Sequence, residues 1–177
     1  FVYYGEEIGM TGDKPDPRIR TPMQWSPGPG AGFTTGRAWE SPQADSRTTT
    51  VAGQDRDPGS LLNLYRRLIH LRAANAALAT GRLVALETGA PRVVAYLRRD
   101  GGRAVMVVAN LGDAPASNIA IGSGAGALAP GAYVPRDLLH RSAAAALRVG
   151  ADGRVAGYVP AATIGPRESL VLDLARQ

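Results

Sequence analysis

Glu6 and Glu7 are adjacent carboxylates, and Arg20 follows them across an interval that holds Asp13 and Asp16. Paired carboxyl groups can serve as general acid, general base or nucleophile. This pair fails on geometry, because neighbours at a strand end point to opposite sides and cannot both face one reacting centre. Glu6 and Glu7 are therefore excluded as a catalytic couple. Arg20 carries a rigid donor fork that can hold hydroxyls or orient a carboxylate, and a loop-fixing ion pair is the equal alternative. Trp25, Phe33 and Trp39 offer flat apolar faces, suited either to stacking on a ligand ring or to pinning a long loop. His70 and His140 lack partners at metal-ligand spacing. Asp13 and Asp16 with nearby carbonyls could hold Ca²⁺, but without the regular spacing of a calcium loop.

The elements that would position these groups follow from periodicity. Phe1 to Tyr4 is an aromatic and β-branched run that reads as a buried strand ending at Gly5. Because the chain starts inside that run, further sequence is expected upstream of Phe1. Residues 5–57 contain six prolines and show almost no periodicity, which predicts a long extended loop with at most short turns, kept ordered by its aromatic anchors. Asp57-Pro58 reads as a helix start, and Leu61, Leu62, Tyr65, Leu68, Ile69 and Arg72 continue at helical spacing to about Leu78, with Gly81 as the stop. Strand, loop and helix make one β/α unit, assigned to residues 1–80.

From residue 81 onward the pattern changes to alternation. Short strands are predicted at Leu83–Leu86, Val93–Arg98, Val105–Ala109, Ile119–Ile121, Ala132–Val134, Val155–Val159 and Ser169–Leu174, with a hairpin turn at Asp100-Gly101-Gly102. Ala143–Ala146 reads as a surface loop or helical turn. Seven short strands suggest an antiparallel β-sandwich over residues 81–177, so the fold class is mostly β.

The bulk numbers agree. Of 177 residues, 45% are hydrophobic and 20% charged, enough for a buried core, and 22 Gly with 13 Pro favour turns over a helical bundle. The net charge of +5 comes almost wholly from scattered Arg, without the basic run and aromatic interleaving of a nucleic-acid groove. No stretch is long and apolar enough to read as a membrane span. The chain has no Cys, which fits either a reducing or an oxidising compartment.

Three segments in order carry a resemblance: Phe1-Val-Tyr-Tyr-Gly-Glu-Glu-Ile-Gly-Met10, Arg20-Thr-Pro-Met-Gln-Trp25 and Gln54 through Arg72, with Ala31-Gly-Phe-Thr34 between the last two. Together they resemble the end of the catalytic barrel of the α-amylase superfamily of glycoside hydrolases. Arg136-Asp-Leu-Leu139 and Glu168-Ser-Leu-Val-Leu-Asp-Leu174 resemble its C-terminal β-sandwich, domain C.

The resemblance implies that Phe1–Tyr4 is the eighth strand of a (β/α)₈ barrel, whose sites open at the C-terminal strand ends. It implies an α-glucan or maltooligosaccharide substrate, met through a parent enzyme whose nucleophile, acid/base and stabilising carboxylates lie on earlier strands. No catalytic residue is assigned within the chain, which is expected to be inactive alone. Arg20, Glu7 and Trp25 are the candidate substrate-side residues, with Glu7 also expected to hold its loop by accepting hydrogen bonds. No metal or cofactor is assigned to the chain, Ca²⁺ being possible in the parent. The interval from Met10 to Arg20 is shorter than in oligo-1,6-glucosidases, which favours an amylase-type enzyme, with an α-glucosidase or oligo-1,6-glucosidase as the alternative. A carbohydrate-binding or purely structural β-sandwich is the reading from another class. An apolar patch left by the missing barrel neighbours would make the piece self-associate.

Overall fold

The computed structural model describes residues 2–177, which form two compact units, Phe1–His70 and Leu71–Gln177. Phe1, the first residue of the predicted strand, lies outside the described residues. Val2 and Tyr3 have no regular structure and Tyr4 stands in a turn. The strand reading is thus corrected over these residues, because a strand needs a ladder partner and no described segment pairs with them.

The first unit is mostly loop, as its prolines dictate. It contains a 3₁₀ turn at Glu6–Ile8, a short helix α1 (Asp16–Ile19), a second 3₁₀ turn at Pro29–Gly32 and helix α2 (Val51–Asp55). Helix α3 (Leu61–Ala74) starts three residues after the predicted point. The reason is local. Asp57 spends its carboxylate on the Gly59 amide at 2.8 Å, making a turn, and Ser60 takes the cap by accepting from Asn63 N at 3.3 Å. Its small core gathers Ile8, Met23 and Leu62, with Met10 and Val51 against them.

Helix α3 also ends before Leu78. Asn75 leaves helical geometry (φ −125°, ψ 109°) and its side chain accepts from Leu78 N, starting a separate turn α4 (Ala76–Ala79). An Asn that can satisfy an orphan amide competes with helix continuation. Arg72 then donates to the carbonyls of Leu78 and Ala79.

In the second unit, strands β1 (Arg82–Leu86), β2 (Val93–Asp100), β3 (Arg103–Asn110), β5 (Gly131–Asp137), β6 (Leu147–Val149) and β8 (Ser169–Arg176) form an antiparallel sheet in the order β1-β2-β3-β8-β5-β6. A second ladder joins β4 (Ala116–Ser117) to β7 (Thr163–Ile164). Mostly antiparallel β structure after an N-terminal helical region is the observed fold class. The hairpin forms where Asp-Gly-Gly predicts it, with Asp100 paired to Arg103 and Gly101 at φ 55°. The predicted strands at Ile119–Ile121 and Val155–Val159 shrink to one bridge that they share, between Ile121 and Tyr158. Both segments still bury Ile121, Val155 and Tyr158 in the core, so their apolar pattern reports burial without a ladder.

Alternation sorts the two faces of the sheet. Val93, Ala95 and Leu97 of β2, Met106 and Val108 of β3, and Leu170, Leu172 and Leu174 of β8 enter the main core with Tyr133, Leu147 and Ile164. On the opposite face Val105, Val107 and Val171 pack with Leu71, Ala77 and Leu78. The central strands are therefore apolar on both sides, which explains why Ala104 to Val108 reads as a continuous run rather than a strict alternation.

Candidate functional site

The turn Gly5–Gly9 sets the first wall. Gly5 (φ 88°) and Gly9 (φ 74°) occupy the left-handed region at the two ends, which only a residue without Cβ adopts readily. Between them the 3₁₀ turn sends Ile8 into the core and Glu7 into a cavity of about 430 Å³. That cavity is lined by Tyr4, Glu7, Arg20, Thr21, Pro22, Met23, Trp25, Phe33 and Trp39. All three candidate substrate-side residues, Glu7, Arg20 and Trp25, are thus brought to one concavity, and Phe33 and Trp39 join them.

The wall is held by side-chain straps. Thr21 through Gln24 are buried, and Gln24 donates its side-chain amide to Thr49 O at 2.5 Å while its backbone carbonyl accepts from Val51 N at 2.9 Å. Trp25 bonds through its backbone to both sides, receiving from Ala52 N and donating to Ala31 O, each at 2.9 Å. Thr50 caps α2 by accepting from Gly53 N at 3.1 Å. Gln54 bridges Ile8 O at 2.7 Å and Leu62 N at 3.0 Å, tying the Glu6–Ile8 turn to the start of α3. Gln24 does the backbone satisfaction expected of it within the Arg20–Trp25 segment, whereas nothing in the sequence singles out Thr50 and Gln54, because polar residues in a loop give no sign there of turning inward.

The loop-holding role expected of Glu7 belongs to its neighbour. Glu6 accepts from Tyr3 N at 3.2 Å, whereas the buried Oε2 of Glu7 has no hydrogen-bond partner among the described residues. The two carboxylates do diverge, though through a 3₁₀ turn rather than strand alternation: Glu6 is exposed and outside the cavity lining. Arg20 donates to Asp16 at 3.0 Å across one helical turn, and both side chains are more than half exposed. Such a pair contributes little stability, about 0–1 kcal/mol. Tyr4 donates its hydroxyl to Thr21 O at 3.0 Å. Partial burial raises its phenol pKa, with Tyr3 adding to the shift and Arg20 opposing it.

Trp25, Phe33 and Trp39 are 51%, 55% and 64% exposed, so their rings stay largely available instead of being consumed as loop anchors. In the second unit Tyr133 and Tyr158 are buried, and their hydroxyls donate to Ala129 O and Ala145 O at 2.8 Å. Those rings provide no aromatic platform. His140 sets Nδ1 2.5 Å from the buried Asp137 carboxylate, which also accepts from Leu139 N and Val171 N, so this histidine closes a structural corner. Among the described residues no three His, Asp or Glu side chains gather as a metal site, and no helix is long and apolar enough to cross a membrane.

Residues 1–81 match the α-amylase family, by the description "Alpha amylase, catalytic domain". The chain is 34% identical over 113 residues to Alpha-amylase 3 of Dictyoglomus thermophilum, covering 63% of this chain and 22% of the relative. It is 37% identical over 135 residues to the trehalose synthase/amylase TreS of Mycolicibacterium smegmatis, covering 64% and 22%. Among solved structures, the trehalulose synthase MutB of Pseudomonas mesoacidophila MX-45 superposes with a TM-score of 0.64 at 27% identity, covering 89% of this chain and 25% of that one. A mutant of MutB has been crystallised with glucose. The chain thus spans about a quarter of the length of these relatives.

Proposed function

We propose that this chain is the C-terminal part of a retaining enzyme acting on α-glucans, of the α-amylase type. Residues 1–80 would supply one wall of the sugar cleft, and residues 81–177 a non-catalytic structural β domain. The observation that carries this reading is the convergence of Glu7, Arg20 and Trp25 on one aromatic-lined cavity. Exposed indole and phenyl faces suit the apolar face of a glucose ring, while Arg20 can donate to its hydroxyls and Glu7 can accept from them. The carboxylates that cleave the bond come from the remaining barrel, so this wall binds and orients without turning over. The alternative activities, α-glucosidase or disaccharide isomerisation, use the same wall.

The chain contains two tryptophans, and both line the cavity, so intrinsic indole emission reports on this site alone. Titration with maltoheptaose is expected to give a saturable change in emission that Arg20→Ala weakens at least about tenfold, the loss of one hydrogen bond to a charged donor at about 1.5 kcal/mol or more. No saturable response from the wild-type chain would sink the reading. Measurable hydrolysis of maltooligosaccharide by the purified chain would overturn the division of labour.

A further inference from the structure

The chain contains two Asp-Gly pairs, Asp100-Gly101 and Asp152-Gly153. We propose that Asp100, at the tip of the hairpin between β2 and β3, is a self-modification site that converts to isoaspartate, while the fold protects Asp152. In this reaction the amide nitrogen of the following glycine attacks Cγ of the protonated aspartate side chain. A C–N bond forms, the carboxyl OH leaves with the amide hydrogen as one water, and a five-membered succinimide results. Water then adds back at either ring carbonyl. Breaking the new bond restores aspartate, whereas breaking the original peptide bond leaves the chain running through Cγ. The net change is an isomerisation, with water as the sole co-reactant and no redox step.

The two pairs share a sequence and differ in surroundings. Asp100 pairs with Arg103, so Gly101 and Gly102 are the turn residues, and Gly101 N has no acceptor among the described residues. Asp100, Gly101 and Gly102 are exposed, and a β-carbon placed on either glycine would meet nothing within 4 Å. The approach of nitrogen to Cγ is therefore uncrowded. It requires Asp100 to leave extended geometry, and opening the last rung of a ladder costs less than opening its middle. At the other pair, Gly153 N donates to Gly150 O and Gly153 O accepts from Leu128 N, each at 3.0 Å, while Asp152 O accepts from Gly126 N at 2.9 Å. Gly153 is buried, and a β-carbon there would meet Leu128 O at 2.6 Å. Its nitrogen is committed and its surroundings are closed. Rerouting at Asp100 adds one carbon to the backbone of a turn whose two residues match the strand twist, so the modified hairpin loses its register at that end.

The test holds the full chain at neutral pH for weeks and quantifies isoaspartate at each site by peptide mapping with electron-transfer mass spectrometry. Asp100 is expected to isomerise at least about tenfold faster than Asp152, the factor set by the backbone bonds that the second site must break before its nitrogen attacks. In urea both pairs meet the same solvent, and their rates should converge to within about threefold. Equal rates in the folded chain, faster change at Asp152, or no change at Asp100 overturn the proposal. So does a gap that survives unfolding, since local sequence would then be its cause.

Discussion

Asn110 is the residue whose replacement should cost the second unit most for the fewest atoms changed. It is 2% exposed at the end of β3. Its amide nitrogen lies 2.9 Å from Ala114 O, 3.2 Å from Ile164 O and 2.8 Å from Gly165 O, and its Oδ1 accepts from Gly112 N at 3.0 Å. The amide has two hydrogens, so three carbonyls share two donors, and the side chain is worth three full bonds in all. At about 1 kcal/mol net each, with buried partners stranded on removal, Asn110→Ala should cost about 2–4 kcal/mol. In urea this moves the unfolding midpoint by roughly 1–3 M at a typical slope for a small protein. Asn110→Asp sharpens the test, because it keeps an acceptor for Gly112 N but turns a charged oxygen towards three carbonyl oxygens. If the donor side carries the stability, Asp is at least as destabilising as Ala. Far-UV circular dichroism in urea reads both variants through the β unit, whereas tryptophan emission reports only residues 25 and 39. An Asp variant clearly more stable than the Ala variant would show that the Gly112 bond dominates, and would refute the donor argument.

Other expectations follow from the same geometry. A β-carbon at Gly81 would meet the carbonyl oxygens of Ala77 and Arg99, the latter at 2.7 Å, so Gly81→Ala should lower stability by about 1–3 kcal/mol despite its better helix propensity; a neutral result in urea would mean that the α4 to β1 connection yields freely. Burial raises the Tyr158 phenol above its ordinary 10.0, so the folded state holds that proton more tightly than the unfolded chain. Stability is therefore intact below pH 10 and falls as pH rises above it. Tyr158→Phe should lose about 1 kcal/mol at neutral pH, from the bond to Ala145 O, yet lose less of its remaining stability above pH 10; parallel alkaline unfolding curves would refute this. Leu68 and Ile69 on α3 are 39% and 55% exposed in the same unit as exposed Val2 and Tyr3, so the chain should self-associate at micromolar concentration, and Leu68→Lys with Ile69→Glu should reduce it. Sedimentation velocity showing a monodisperse wild-type monomer would contradict that expectation.

The β unit was legible in the sequence wherever a strand of about five residues or more both alternates and pairs. β1, β2, β3, β5 and β8 stand where apolar and turn residues put them, because Gly101 and the apolar runs state register and face together. The shorter strands β4, β6 and β7 escaped, since Ala-Ser, Leu-Arg-Val and Thr-Ile are too short to carry a period. Ile119–Ile121 and Val155–Val159 misled in the other direction: their apolar side chains are buried, but burial does not require a ladder. At the N-terminus the aromatic run at residues 2–4 has strand composition and no strand, because a strand is a property of two segments and composition describes one.

The cavity was legible in its residues and not in its mechanics. Aromatic rings and an arginine announce themselves by type, so Arg20, Trp25, Phe33 and Trp39 could be singled out from the chain alone. What fixes them is a set of ordinary polar side chains turned inward: Gln24 on Thr49, Thr50 on Gly53, and Gln54 between Ile8 and Leu62. A long loop without regular structure must satisfy its buried backbone groups through side chains. Residues 5–57 do this with glutamines and threonines whose types would suit any surface. The accounting leaves three acceptors open. The buried Oε2 of Glu7, Oε1 of Gln24 and Oδ1 of Asp45 have no hydrogen-bond partner among the described residues, so the straps satisfy the loop's backbone before its own side-chain oxygens.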